Sequence, residues 1–172
     1  MANKHAGGEW PVLDVCCGTR MMWMEKRDAR ALFMDRRTED IYIAPGRAYK
    51  NGALVSVAPD LEADFTSLPF GDESFSHVVF DPPHHTSQRL GSTGTGIIEK
   101  RYGRLQGDWP AMITQGFAEC FRVLKSSGTL VFKWGSVEIP LRKVLELTPE
   151  KPLYGHHSGK KAQTHWVIFL KK

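Results

Sequence analysis

Apolar runs long enough to cross a bilayer are missing from this 172-residue chain. A spanning helix takes roughly 20 consecutive apolar residues, so the chain is read as soluble, with no membrane partner. Cysteine is scarce too. Cys16, Cys17 and Cys120 are the whole supply, and no Cys-x-x-Cys pair exists. That excludes a disulfide framework and a structural zinc site, and it points to the reducing cytoplasm. Residues 1–10, an N-terminal arm, contain Lys4 but no apolar stretch of the kind a secretory signal needs. Repeats, linkers and low-complexity tracts are also lacking, and the length suits a single domain over 1–172. Charge of one sign is in small excess: 23 Lys+Arg against 19 Asp+Glu give a formal +4, a mild bias toward polyanions that does not establish nucleic-acid binding.

What is present is a succession of short apolar runs, each ending in an acid or a turn. Residues 11–15 read as a strand entering the tight turn Cys16-Cys17-Gly18-Thr19-Arg20, and a brief helix is expected over 21–30. A second strand covers 31–35. Residues 39–53 are expected to be loop with a helical turn at most, since Pro45 and Gly46 break any long element. A third strand is expected at 55–57, or as an extended approach to Glu62-Ala63-Asp64-Phe65. After a surface connection over 67–76, a fourth strand runs through 77–80 to Asp81. Residues 86–108 carry five glycines and no periodicity, the pattern of a mobile active-site loop. Met112, Ile113, Phe117, Cys120, Phe121 and Leu124 then recur at three- and four-residue spacing, which predicts a helix from Trp109 with Asp108 as N-cap. Strands over 129–134 and 164–170, a helix over 139–147 and a small strand near 152–154 complete the reading. Strands alternating with helices indicate an α/β fold with a mostly parallel sheet covered on both faces.

Asp14, Asp35, Asp64 and Asp81 stand in succession at the ends of these strands, where ligands of such sheets bind. Asp14 and Asp35 are 21 residues apart, close to the spacing between a nucleotide-binding turn and an acid that holds ribose hydroxyls. Asp81-Pro82-Pro83-His84 adds an acceptor-rich corner. Two consecutive prolines remove two backbone donors and fix φ, leaving the Pro82 carbonyl and the Asp81 carboxylate free to grip an amino group.

From Val12 to Lys171 the chain resembles the class I S-adenosylmethionine-dependent methyltransferases. Val12-Leu13-Asp14-Val15-Cys16-Cys17-Gly18-Thr19 is similar to their first motif, Phe33-Met34-Asp35 to their second, and Ala63-Asp64-Phe65 to the segment beside the adenine. Phe117 to Leu124, with Lys125 and Gly128, is similar to the helix-turn before their fifth strand. Asp81-Pro82-Pro83-His84 resembles the Asp/Asn-Pro-Pro-aromatic signature of the amino-methyltransferase branch. The resemblance implies a Rossmann-like three-layer sandwich, with a mostly parallel seven-stranded sheet and an antiparallel C-terminal strand. It implies an enzyme that transfers a methyl group from S-adenosyl-L-methionine, leaving S-adenosyl-L-homocysteine, to an amino nitrogen of a base, adenine foremost, in DNA or RNA. Asp14, Cys16, Gly18, Arg20, Asp35, Asp64 and Phe65 would hold the cofactor; Asp81, Pro82, Pro83 and His84 would hold the acceptor, and no metal is required.

Two positions depart from the family pattern. Its glycine-rich turn has Cys16, Gly18 and Arg20 in the glycine places; Gly18 keeps the close backbone approach, and Arg20 is expected to narrow the pocket or reach the methionine carboxylate. The branch signature ends here in His84, followed by His85. Other acceptors stay open: a small molecule, a free nucleotide or a protein amide. A non-catalytic nucleotide-binding or regulatory protein of the same fold also stays open. With no room for a target-recognition domain, site choice would fall to the 86–108 loop, the N-terminal arm, a homodimer or a targeting partner protein.

Overall fold

The computed structural model describes residues 10–45, 49–86, 103–158, 161 and 163–172. Seven strands form one sheet: β1 (Val12–Asp14), β2 (Ala31–Asp35), β5 (Leu61–Glu62), β6 (Phe75–Phe80), β7 (Leu124–Gly135), β8 (Tyr154–Ser158) and β9 (Thr164–Leu170), in the spatial order β5-β2-β1-β6-β7-β9-β8. Every pairing is parallel except those of β9, which runs antiparallel to both β7 and β8. The chain starts in the middle of the sheet, steps outward to β5, then crosses back over β1 to β6. That reversal opens a crevice between the carboxyl ends of β1 and β6.

Burial explains the strand compositions. β2 is buried along all five residues, as a central parallel strand requires. In β7 the buried Leu130, Phe132 and Trp134 alternate with the half-buried Thr129, Val131 and Lys133. The first set faces helix α1 (Trp109–Val123), whose Ile113, Phe117, Cys120 and Phe121 are buried in the same core. Asp108 caps this helix, its carboxylate accepting from the Ala111 amide at 3.1 Å. Gly116 lets the helix sit low on the sheet, since a Cβ there would meet Phe65 and Phe80 at 2.7 Å. A short helix α2 (Leu141–Leu145) adds Val144 to that core.

Several expectations are corrected. Residues 21–30 form turns, not a helix. Glu25 accepts from the Arg27 amide and Asp28 from the Arg30 amide, so side chains capture the donors that a helical ladder needs. This segment still covers the second face of the sheet over β1 and β2, through Trp23 packed with Cys17, Ala31 and Phe33. Residues 39–57 are not loop followed by a sheet strand. Residues 39–43 and 53–57 pair as antiparallel β3 (Glu39–Ile43) and β4 (Ala53–Val57), outside the main sheet and packed on Ile41, Ile43 and Val57. The third sheet strand is the two-residue β5 instead. The proposed N-terminal arm and the 86–108 loop lie outside the described residues except for Trp10, Thr86 and residues 103–108. The loop's two ends meet in a bridge between Thr86 and Leu105. Among the described residues no helix is long and apolar enough to cross a membrane.

Candidate active site

At the tip of β1 the Asp14 carboxylate is 1 % exposed. Its Oδ1 accepts from the Cys16 amide at 3.2 Å and its Oδ2 from the Trp23 indole N–H at 2.7 Å. Burial pushes its pKa up to about 7 against the pull of those two donors, and the neighbouring charges of Asp81 and Asp35 add to the rise. Asp14 therefore lies beneath the crevice as a support for the turn that follows, and the two later acids share its electrostatic surroundings.

That turn is tight because Gly18 takes φ +49°. Its amide donates to Asp35 Oδ2 at 2.9 Å, while Asp35 Oδ1 accepts from the amide and Nε of Arg37 at 3.1 and 3.3 Å. The tips of β1 and β2 are thus tied to each other. Each carboxylate oxygen has two lone pairs, so Asp35 keeps acceptor capacity toward a ligand.

Cys16, Gly18, Asp35, Phe65, Asp81 and Pro83 line one crevice, with Val15, Arg36, Arg37 and Gly103. Phe65 supplies a buried apolar wall, its ring 5.3 Å from that of Phe80. At the mouth, Gly103 lies against Pro83 and the Arg37 guanidinium. One oxygen of Asp81, Oδ2, is held by Lys133 Nζ. Burial raises the Asp81 pKa, and Lys133 lowers it through charge and hydrogen bond. Cys16 and Cys17 are free thiols. Burial raises both, Cys17 to about 12, so neither is a thiolate nucleophile at neutral pH.

Other residues expected at the site are not among those lining the crevice. Pro82 is buried. The His84 ring packs against Gly135, where a Cβ would come within 2.6 Å of it, and meets Trp134 edge-on at 6.0 Å. Its Nδ1 is buried with no hydrogen-bond partner among the described residues, and burial lowers its pKa to about 4, so the ring is neutral. Asp64 caps its own turn, accepting from the amide and hydroxyl of Thr66 at 2.9 and 2.8 Å. Arg20 is turned away: its guanidinium lies 3.9 Å over the Phe33 ring and donates to the carbonyls of Lys26 and Ala58 and to Asp60.

Sequence reasoning missed four residues. Arg37 and Trp23 fix Asp35 and Asp14. Lys133 holds Asp81. Glu138 accepts from His85 Nδ1 at 3.1 Å, from the Thr86 amide at 2.7 Å and from the Thr86 hydroxyl at 2.8 Å, pinning the chain that follows the tandem prolines. The one readable signal was the alternation Thr129, Val131, Lys133, which marks a half-exposed strand face.

A mostly parallel sheet that reverses at β1, with a crevice over the carboxyl ends of β1, β2 and β6, defines a Rossmann-like α/β protein. No protein-family model matches the chain, and neither does any curated protein sequence. Solved structures do match. The PH0226 protein of Pyrococcus horikoshii OT3 is 14% identical, over 94% of this chain and 81% of that one, with a TM-score of 0.55. A TehB-like SAM-dependent methyltransferase from Corynebacterium glutamicum is 12% identical, over 97% and 83%, also at 0.55. A SAM-dependent methyltransferase from Leishmania major is 10% identical, over 93% of this chain and 63% of that one, at 0.50. At these identities the likeness is one of fold alone.

Proposed function

We propose that the protein is an S-adenosylmethionine-dependent methyltransferase acting on an amino nitrogen, most specifically that of a base such as adenine in DNA or RNA. The observation that carries this reading is the convergence of Cys16, Gly18, Asp35, Phe65, Asp81 and Pro83 on one crevice at the strand tips, in a fold shared with methyltransferases. The donor set suits the cofactor. Asp35 has acceptor capacity for ribose hydroxyls, the turn at Gly18 brings backbone close, and Phe65 offers an apolar wall to an adenine ring.

The bound cofactor supplies an electrophilic methyl group on a sulfonium. This chain's part is to bring the acceptor nitrogen into line and to accept its hydrogens. Asp81 Oδ1 has no partner among the described residues, and it takes one N–H of the incoming amine. With Oδ1 accepting that N–H, Asp81 would hold the nitrogen in place and pass the proton that the amine sheds on methylation to water. A base inside a duplex would first have to be flipped out of the stack.

Calorimetric titration with S-adenosylmethionine, followed by transfer of labelled methyl to DNA, RNA and free nucleosides, tests the reading. Saturable cofactor binding that weakens in Asp35→Ala, with label in nucleic acid that is lost in Asp81→Ala, is expected. Activity on a polyanion falls steeply with salt; label in a small molecule with no salt dependence would move the acceptor to that class. A chain that binds no cofactor would sink the proposal.

A further inference from the structure

We propose that Lys133 is a positioning residue of this site: its ammonium holds Oδ2 of Asp81, so that the carboxylate meets the acceptor amine through Oδ1. This rests on the methyltransferase reading for its purpose, though the hold itself is independent of it.

Strand geometry puts the two residues together. β6 and β7 are in parallel register with Val79 opposite Val131 and Phe80 opposite Phe132, so Asp81 falls beside Lys133 one step further on. Successive residues alternate faces, and Lys133 stands on the face away from α1, in line with Thr129 and Val131. Across the sheet, Lys133 pairs in register with Trp166 of β9, and its Nζ lies 5.6 Å from that ring's centroid. The ammonium is therefore seated between a carboxylate and an aromatic face. Side-chain exposures of 20 % for Lys133 and 10 % for Asp81 mean that water does little to screen the pair.

The acids at the neighbouring strand tips work against the ionised state of Asp81, and the nearby cation Arg37, on the same crevice, is paired with Asp35 and Glu39. Asp14 on β1 and Asp35 on β2 bring like charge to the same strand tips, and Cys16 is a neutral thiol. His84, on the same segment as Asp81, is neutral, and His85 is engaged by Glu138. Among the described residues Lys133 supplies the ion pair to Asp81. Without it the desolvated carboxyl takes up a proton more readily, and a protonated oxygen presents a donor, the wrong polarity for an amine N–H. Lys133 thus fixes both the charge and the rotation of the group that meets the substrate.

The test reads the carboxyl itself. Protein labelled with 13C at aspartate carboxyls is titrated by NMR, with Asp81→Asn assigning the resonance, in wild type, Lys133→Met and Lys133→Arg. The methionine keeps the apolar stem over Trp166; the arginine keeps the charge. Loss of a partner this close is expected to raise the Asp81 midpoint by about one pH unit or more, and arginine is expected to restore it. The acid limb of kcat/KM for methyl transfer should move up with the midpoint in Lys133→Met, while cofactor affinity stays unchanged. Should Lys133→Met fail to fold by circular dichroism, Lys133→Gln is read in its place. An unmoved midpoint in a folded neutral variant, or an equal shift in Lys133→Arg, overturns the proposal. If wild type transfers no methyl group, the methyltransferase reading fails by itself, and the titration still decides whether Lys133 governs Asp81.

Discussion

Trp23 donates its indole N–H to the buried Oδ2 of Asp14 across 2.7 Å, so a turn outside the sheet supports the carboxylate at the centre of it. The same indole meets Phe33 edge-on at 4.7 Å. Trp23→Phe keeps an aromatic ring there and removes the donor. An unpaired buried acceptor costs about 1–3 kcal/mol, and the cost is greatest where Asp14 is ionised. Urea unfolding should show a larger loss at pH 8 than at pH 5; equal losses would mean that the bond does not act on the charged form.

Asp14 and His84 make opposite contributions to the pH dependence of stability. Burial raises Asp14 from 3.8 to about 7, so between those values the native state holds a proton that the unfolded state releases, and stability falls as pH rises. Burial lowers His84 from 6.5 to about 4. There the unfolded state binds the extra proton, and stability rises with pH over that window. The two partly cancel in the wild type. Relative to wild type, Asp14→Asn should gain stability as pH climbs from about 4 to 6.5, and His84→Gln should lose it. Urea midpoints along a pH series measure both differences, and slopes of the same sign would refute the assignment.

Much of this architecture is legible in the amino-acid pattern because the strands are written locally. The residues 164–170 expected as a strand are those of β9, and Asp108 caps α1 where the three- and four-residue spacing begins. Features set by distant partners are not legible. Lys133 is 52 residues from Asp81, and Arg20 spends its guanidinium on Ala58, 38 residues away. No local signal announces either contact. The expected helix over 21–30 fails for a related reason: Trp23 is committed to Asp14 and Phe33, and polar side chains take the amides. The β3–β4 pair was legible in principle, since Ile41 and Ile43 alternate with the exposed Asp40 and Tyr42, but Pro45 and Gly46 outweighed that period-two signal.

Gly116 connects the helix to the crevice wall. A Cβ at this position would lie 2.7 Å from both Phe65 and Phe80, and both rings are buried. Alanine would favour the helix by roughly 1 kcal/mol, whereas overpacking costs about 1–3 kcal/mol, so Gly116→Ala is expected to be net destabilising. Because Phe65 lines the crevice, cofactor affinity should weaken too. Calorimetry beside urea unfolding separates the effects. Full affinity in a destabilised variant would show that the ring yields without moving the wall.

Glu138 gathers three donors from two consecutive residues, His85 and Thr86, one position beyond the residue that follows the tandem prolines. One carboxylate therefore fixes where the Asp81–Thr86 segment leaves the sheet, and the Leu105 amide closes the same point by donating to the His85 carbonyl at 2.8 Å. Glu138→Ala leaves the Thr86 amide and hydroxyl without that acceptor, at a cost of about 1–3 kcal/mol. Its functional effect should be selective. Asp35, Gly18 and Phe65 belong to other strand tips, so cofactor affinity is expected to hold within about twofold, a few tenths of a kcal/mol. The methyl-transfer rate is expected to fall on the order of tenfold, about 1.4 kcal/mol of lost positioning. Glu138→Gln retains one carbonyl oxygen for Thr86 and should recover part of that rate. A parallel loss of affinity and rate in Glu138→Ala would instead assign Glu138 to the stability of the whole sheet edge, and a rate unchanged from wild type would remove the pinned segment from the positioning of the acceptor.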